Sequence, residues 1–258
     1  MRPISAADLL DSWERGVGQA TLEQALVFLG LSFPLASRQA LVELTIAQRD
    51  AVLFELRERI FGSQLKGLAD CPDCGERLEL AFDAHDLRRL NLFPPEAVQA
   101  PDSAESQSPQ TALSFRRAGY RIRFRQPTSA DLMKTNLLTD LEQGRRLLLE
   151  ACITSATYQG QVVPVNELPA KVSEAIIEHI GQAAALANLT LAATCPACGH
   201  TWEILFDIVS YLWNEINAWA GRMLHEVHLL AATYGWREAD ILAMSAWRRQ
   251  RYLEMIGA

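Results

Sequence analysis

Apolar positions recur along this chain with two different periods. Residues 1–62 carry the helical one. Ser5 is placed to cap a helix from Ala6 to about Arg15, and Thr21 a second one through Val27 and Phe28 to Gly30, ahead of Pro34. Thr45 opens the strongest helix of this half. Ile46, Val52, Leu53, Leu56 and Ile60 fall on one stripe, Arg49, Glu55, Arg57 and Glu58 lie mostly away from it, and Gly62 stops the run. Alternation then takes over. Residues 65–70 lead into Cys71-Pro72-Asp73-Cys74-Gly75, and Leu78–Phe82 continues as a strand, with a short helix over 84–90.

The stretch 91–112 holds four prolines and few large apolar residues, and reads as a linker. A hairpin candidate follows, Leu113–Arg117 and Tyr120–Gln126 around Ala118-Gly119, ended by Pro127. Helices are expected at about 129–137 and 139–153, an extended piece over Tyr158–Val165, and a helix from Pro169 to Ala184. A second cysteine pair, Cys195-Pro196-Ala197-Cys198-Gly199, has a strand-like tail over Trp202–Phe206. Val209, Leu212, Trp213, Ile216, Trp219, Ala220, Met223, Leu224, Val227 and Leu230 then mark a long helix over 207–234. Two short helices close the chain, about 237–243 and, capped by Ser245, 246–256.

Cys71–Asp83 (CPDCGERLELAFD) and Cys195–Asp207 (CPACGHTWEILFD) align without gaps, sharing Cys, Pro, Cys, Gly, Glu, Phe and Asp at equal offsets. A CPxCG turn points two thiolates the same way. Proline stiffens it, and glycine supplies the positive φ that aims backbone N–H groups at sulfur. Two such knuckles make a closed four-thiolate site, the usual structural zinc arrangement, so Cys71, Cys74, Cys195 and Cys198 are the candidate ligands of one structural zinc. Closure entropy grows only by roughly 0.6 kcal/mol per doubling of loop length, so the long separation is no objection. The fold class is therefore α+β and mostly helical: a split zinc ribbon of two knuckles on β-hairpins, with helical N-terminal, inserted and C-terminal parts. The expected segments are 1–90 (N-terminal helices and first knuckle), 91–112 (linker), 113–186 (inserted hairpin and helices) and 187–258 (second knuckle and C-terminal helices).

Composition narrows the function. With 258 residues, 49% hydrophobic and 21% charged, the chain is not wholly disordered. A net charge of −7 and a pI of about 5.3 argue against DNA binding by the whole chain. No apolar run is long enough to span a bilayer and the N-terminus lacks a secretory h-region, so a reducing cytoplasm is expected, where paired cysteines favour metal over disulfide. A redox CxxC usually occurs once, at a helix N-terminus, whereas both pairs here lie between strands. Arg116, Arg117, Arg121, Arg123 and Arg125 form the one basic cluster, with Ile122 and Phe124 alternating among the last three. Such a strand could face solvent, an acidic protein partner or nucleic acid, the last ranked lowest. Trp236 is a core candidate that could also serve protein contact, and Trp247 is a second candidate contact residue. Cys152 reads as a buried thiol, His200 as a surface residue, and the HEVH around Glu226 lacks the HExxH spacing of a zinc protease. There is no GxSxG, phosphate loop or GxGxxG, so no enzyme and no small-molecule substrate is expected.

The helix LTIAQRDAVLFELRERIFG running into a CPxCG knuckle resembles the baseplate hub assembly chaperone family of contractile-tailed bacteriophages and its relatives in contractile injection systems. The C-terminal CPACGHTW, FDIVSYLW and YGWREADILAMSAWRRQRYLEMIG look like the same injection-system proteins. The resemblance implies a non-enzymatic assembly chaperone or baseplate component with baseplate or tail proteins as partners, located in the cytoplasm or built into a phage-like particle. It supplies no catalytic residues. The alternative reading is a nucleic-acid-binding zinc-ribbon protein.

Overall fold

The computed structural model describes residues 4–89, 113–135, 140–183 and 189–257. The expected linker 91–112 lies outside them. The chain forms two compact units, one of Met1–Pro34 with Ile208–Ala258 and one of Leu35–Asp207. The sequence segments 1–90 and 187–258 are thus each shared between both units.

The first unit is helical. Helix α1 (Ala6–Gly16) begins at a capping box, in which Ser5 Oγ accepts from the Asp8 N–H and the Asp8 carboxylate accepts from the Ser5 N–H. Helix α2 (Thr21–Ser32) has Ala20 as its N-cap and no side-chain cap. Thr21 is its first helical residue, a correction of one position to the expected cap.

Because this unit also contains α9 (Ile208–Tyr234), α10 (Glu238–Leu242) and α11 (Ala246–Met255), the two ends of the chain share one core. At 27 residues α9 is about 40 Å long. Leu10 packs with Ala220 and Met223, and Val227, Leu230, Ile241 and Leu253 form a second cluster further along. Trp13 Nε1–H donates to Asn217 Oδ1 at 2.9 Å. Arg249 donates to the Glu226 carboxylate at 2.9 Å and to the Met244 carbonyl at 3.0 Å, fixing α11 to α9.

The second unit opens with α3 (Arg38–Val42), a single turn capped by Ser37 that periodicity over five residues could not reveal. Helix α4 (Ile46–Phe61) follows from the Thr45–Gln48 capping box and ends at Gly62. It is buried well beyond the expected stripe. Arg49, Asp50 and Arg57 are inside along with Ala51, Val52, Leu53, Phe54 and Leu56. The two arginines are tolerated there because each has an acceptor. Arg49 Nε meets the Asp50 carboxylate at 2.7 Å, and Arg57 Nη1 donates to the Gly62 carbonyl at 2.6 Å. Burial pushes the Asp50 carboxyl above its ordinary value, against the pull of Arg49.

Two antiparallel ribbons, β1 (Gln64–Asp70) with β2 (Arg77–Asp83) and β7 (Thr190–Thr194) with β8 (Thr201–Leu205), carry the cysteine turns. Helix α5 (Ala84–Arg89) follows β2. Between the ribbons in sequence is a four-stranded sheet in the order β3 (Leu113–Arg117), β4 (Tyr120–Phe124), β5 (Ile153–Tyr158), β6 (Gln161–Val162). Strand β4 stops at Phe124, before Pro127, because the Arg125 N–H turns to the Cys152 carbonyl. The sequence left β5 unassigned and read Tyr158–Val165 as one extended piece. It is instead the end of β5, a turn and the short β6. Helices α6 (Ser129–Thr135), α7 (Leu141–Cys152) and α8 (Ala170–Ala183) accompany the sheet. Its core is Ile122, Phe124, Ala156, Leu168, Val172 and Ile176. A bridge between Thr45 and Thr128, and the Ile46 N–H on the Pro127 carbonyl, tie the region after β4 to the start of α4.

Candidate metal centre

Each cysteine turn closes the tip of its ribbon in the same way. Beyond the last pairs, Asp70 with Arg77 and Thr194 with Thr201, the first cysteine donates its N–H to the carbonyl five residues on: Cys71 to Glu76 and Cys195 to His200, both at 2.8 Å. The Gly75 and Gly199 N–H groups return to the carbonyls of Cys71 and Cys195, both at 2.9 Å. The two glycines have φ of 77° and 75°, where a side chain would be strained. The sequence equivalence is therefore an equivalence of backbone.

The four sulfurs converge. Cys71 Sγ is 3.7 Å from Cys198 Sγ, Cys74 Sγ is 3.6 Å from Cys195 Sγ, and all four lie within 4.8 Å of one another. A tetrahedral thiolate site with metal–sulfur bonds of about 2.3 Å has S···S edges of about 3.8 Å. The cross-ribbon distances match that edge and far exceed the ~2.05 Å of a disulfide. Cys71 and Cys195 are buried, Cys74 and Cys198 exposed. The backbone N–H of Cys198 stabilises a thiolate at Cys195 and holds it down to about 7. The His200 N–H acts in the same sense on Cys198, but desolvation and hydrogen bonding to the other sulfurs outweigh it and push that thiol up to about 12. Thiols this close resist ionising together, and a cation removes that repulsion. The four cysteines are positioned to hold a metal ion.

The phenylalanine of the repeat explains how the ribbons meet. Phe82 and Phe206, at equal offsets, stand edge to face with centroids 5.1 Å apart, and Phe54 of α4 stacks on Phe206 at 5.8 Å. The repeat also extends upstream of the cysteines. Leu65 and Leu189, both buried, and Ala69 and Ala193 share its offset, a signal that the sequence itself carries. The final aspartates precede helices. The Asp83 carboxylate accepts from Ser63, Gln64 and the His85 N–H, which holds it below the ordinary carboxylate range, and Asp207 directly precedes α9.

The other candidate residues lie elsewhere. His200 is exposed and stacks on Trp202. Cys152 is fully buried, with its thiol pushed up to about 11 by desolvation, as an inert core thiol should be. Arg116, Arg117, Arg121 and Arg123 are exposed on the β3–β4 hairpin. Arg125 instead forms a bidentate pair with buried Asp131, at 2.6 and 2.8 Å. Trp236 is packed between Tyr234 and Tyr252, whereas Trp247 is 71% exposed under the Arg251 guanidinium. His225 and His228 are exposed, and Glu226 is held by Arg249. No helix among the described residues is long and apolar enough to cross a membrane.

No curated protein and no solved structure matches the chain. The family described as T4 bacteriophage base plate protein matches residues 34–213. That span begins one residue before the Leu35–Asp207 unit and includes all four cysteines and both ribbons. It covers well over half of the sequence, and the chain therefore belongs to the T4 bacteriophage base plate protein family.

Proposed function

We propose that this chain is a non-enzymatic assembly chaperone or structural component of the baseplate of a phage-like contractile injection system, with one structural zinc joining its two ribbons. The observation that carries the reading is the family match over a span that contains the complete four-thiol site. Four thiolates saturate a tetrahedral metal and leave no position for water or substrate, which favours a structural ion over a catalytic one. Zinc suits an all-sulfur tetrahedral set and has no redox chemistry to disturb it. The chain would act in the cytoplasm, where tails assemble, and its partners would be baseplate or tail proteins. Candidate contacts are the exposed arginines of the 113–126 hairpin and the exposed Trp247; Trp236, packed between Tyr234 and Tyr252, serves the core instead.

The test is to express the tagged chain together with the tail and baseplate genes of its source genome and analyse purified particles and assembly intermediates by mass spectrometry, with elemental analysis of the purified chain. Presence in finished particles supports a permanent component. Presence only in intermediates supports a transient chaperone. Absence from both overturns the reading. One zinc per chain is expected, and a metal-free, fully folded chain would remove the zinc from it. The nucleic-acid alternative predicts salt-dependent oligonucleotide binding and is lost if a low-salt titration is flat.

A further inference from the structure

One face of the four-stranded sheet packs on the core. The other is crossed by a row of directly paired residues, Arg116 on β3, Arg121 on β4, Thr157 on β5 and Val162 on β6. The next row holds Ser114, Arg123 and Ser155. Neither row contains a carboxylate. Arg116 and Arg121 are opposite partners, so two guanidinium groups stand on adjacent strands at the separation where like charges destabilise a sheet. Among the described residues no carboxylate pairs with Arg116, Arg117, Arg121 or Arg123, although Arg125 one turn away takes Asp131 in a bidentate pair. The fold thus neutralises one arginine of this segment and leaves its neighbours open.

Three of these four open arginines line a concavity. Arg116, Arg117, Tyr120, Arg121, Thr157 and Gln159 line a cavity of about 530 Å³ at the end of the sheet where both hairpin turns lie. Its rim is built tightly. Tyr120 packs on Tyr158 with centroids 4.6 Å apart, and Tyr158 covers Gly119 so closely that a Cβ there would come within 3.0 Å of its ring. Both turns use a non-glycine residue at positive φ, Ala118 at 50° and Gln159 at 49°, each followed by glycine.

We infer that the paired arginines Arg116 and Arg121, with Arg117 at the rim of the adjoining cavity, form a docking site for a short acidic segment of a protein partner. The inference rests on the reading of this chain as a protein that binds tail components. Guanidinium groups bind carboxylates through two parallel N–H···O bonds. The Gln159 amide, which gives one N–H to Tyr158 Oη at 3.4 Å, has a second to offer beside them, while the Thr157 hydroxyl is turned to the Arg121 carbonyl at 3.4 Å. A carboxylate placed between Arg116 and Arg121 removes the repulsion that the unliganded sheet carries. A peptide suits the patch better than a nucleic acid. The cationic surface spans only two strands, and the chain's net charge of −7 opposes approach of a long polyanion.

The test uses the full chain and a labelled peptide of alternating aspartate and glutamate, read by fluorescence anisotropy in about 50 mM salt, where exposed charges are only partly screened. The peptide should bind, weaken as salt rises, and lose roughly tenfold in affinity in Arg116→Gln/Arg121→Gln, from two lost charge pairs. Arg145→Gln/Arg146→Gln, which removes the same charge from exposed positions on α7, should leave binding unchanged. No binding, an equal loss in both variants, or tighter binding of an oligothymidylate of the same length overturns the inference. In particles, normal incorporation of the Arg116→Gln/Arg121→Gln chain would overturn the docking site and leave the baseplate reading intact. Absence of the unaltered chain from particles and intermediates would sink the baseplate reading, and the peptide titration would still decide the site.

Discussion

The helical unit buries a continuous seam. Along α9 the residues Leu212, Ile216, Ala220, Met223, Val227 and Leu230 are all inside, and α1, α10 and α11 supply the other half of the contact. The ribbons of the Leu35–Asp207 unit have no such seam. No residue of β2 or β8 is fully buried, β1 buries only Leu65, and Leu68 and Leu205 are about two-thirds exposed. A two-stranded ribbon is marginal by itself. One unit is therefore held by apolar area, at roughly 25 cal/mol per Å², whereas the ribbons of the other share only the Phe54, Phe82 and Phe206 contacts and a cluster of four sulfurs. On the proposed reading, a metal ion at the four cysteines stands in for a core that the ribbons are too thin to build.

That contrast is most directly tested at the proposed metal site. A strong chelator, or Cys71→Ser, should abolish hydrogen-exchange protection in β1, β2, β7 and β8 while α9, α10 and α11 keep theirs. Acidification should act in the same direction, because protons compete with the metal for thiolates. If protection falls equally in both units, or in neither, the ribbons do not depend on the site.

The sequence exposed the metal centre more fully than the fold around it, for a local reason. A CPxCG turn is specified within five residues, and its repetition 124 positions later showed that the two turns are equivalent before any contact was known. The long helices were legible too, since α4 and α9 carry many periods, and Thr45 and Ser245 cap as expected. What failed was short or decided at a distance. Helix α3 has one turn, and β5 begins at Ile153, immediately after α7 ends, where no glycine or proline marks the change. Arg49 and Arg57 read as surface residues because periodicity weighs charge, not the acceptor that later meets it. Arg125 looked like its neighbours for the same reason, since only the fold brings Asp131 to it. The sharing of a core by the two chain ends had no local signal at all.

Within the Leu35–Asp207 unit the four-stranded sheet is held by yet another means, and Asp131→Asn tests it. Asp131 is almost fully buried and accepts from Arg125, the Thr128 N–H and the Thr128 hydroxyl. Burial alone would raise its carboxyl, but Arg125 and then Thr128 outweigh this and hold it below its ordinary value. A carboxyl lowered by folding stabilises above its unfolded pKa of about 3.9, and that stabilisation is lost as pH falls through the folded value. Removing one partner of a buried pair costs several kcal/mol; with Arg125 partly solvated, roughly 2 kcal/mol is expected at neutral pH. The difference from the unaltered chain should shrink on acidification below about pH 4, and metal content should not change. A difference that is flat with pH would mean that packing, not the ion pair, carries the effect.

The smallest expected effect comes from the helical unit and probes its dependence on close packing. Gly16, the last residue of α1, faces Trp213 of α9 so closely that an added Cβ would be 2.5 Å from Cζ3 and 3.1 Å from Cη2. The ring cannot simply retreat, because its other neighbour is Phe28, with centroids 6.0 Å apart. Two terms oppose each other in Gly16→Ala. Alanine gains up to about 1 kcal/mol in helix propensity, less at a terminus where the helix is already ending. Overpacking costs about 1–3 kcal/mol when a rigid ring must shift. The second should win, leaving the variant about 1–2 kcal/mol less stable, with faster exchange in α1, α2 and α9 and an unchanged metal content. A neutral or stabilised variant would show that the seam between α1 and α9 yields easily, and the division between a unit held by packing and ribbons held by sulfur would have to be redrawn.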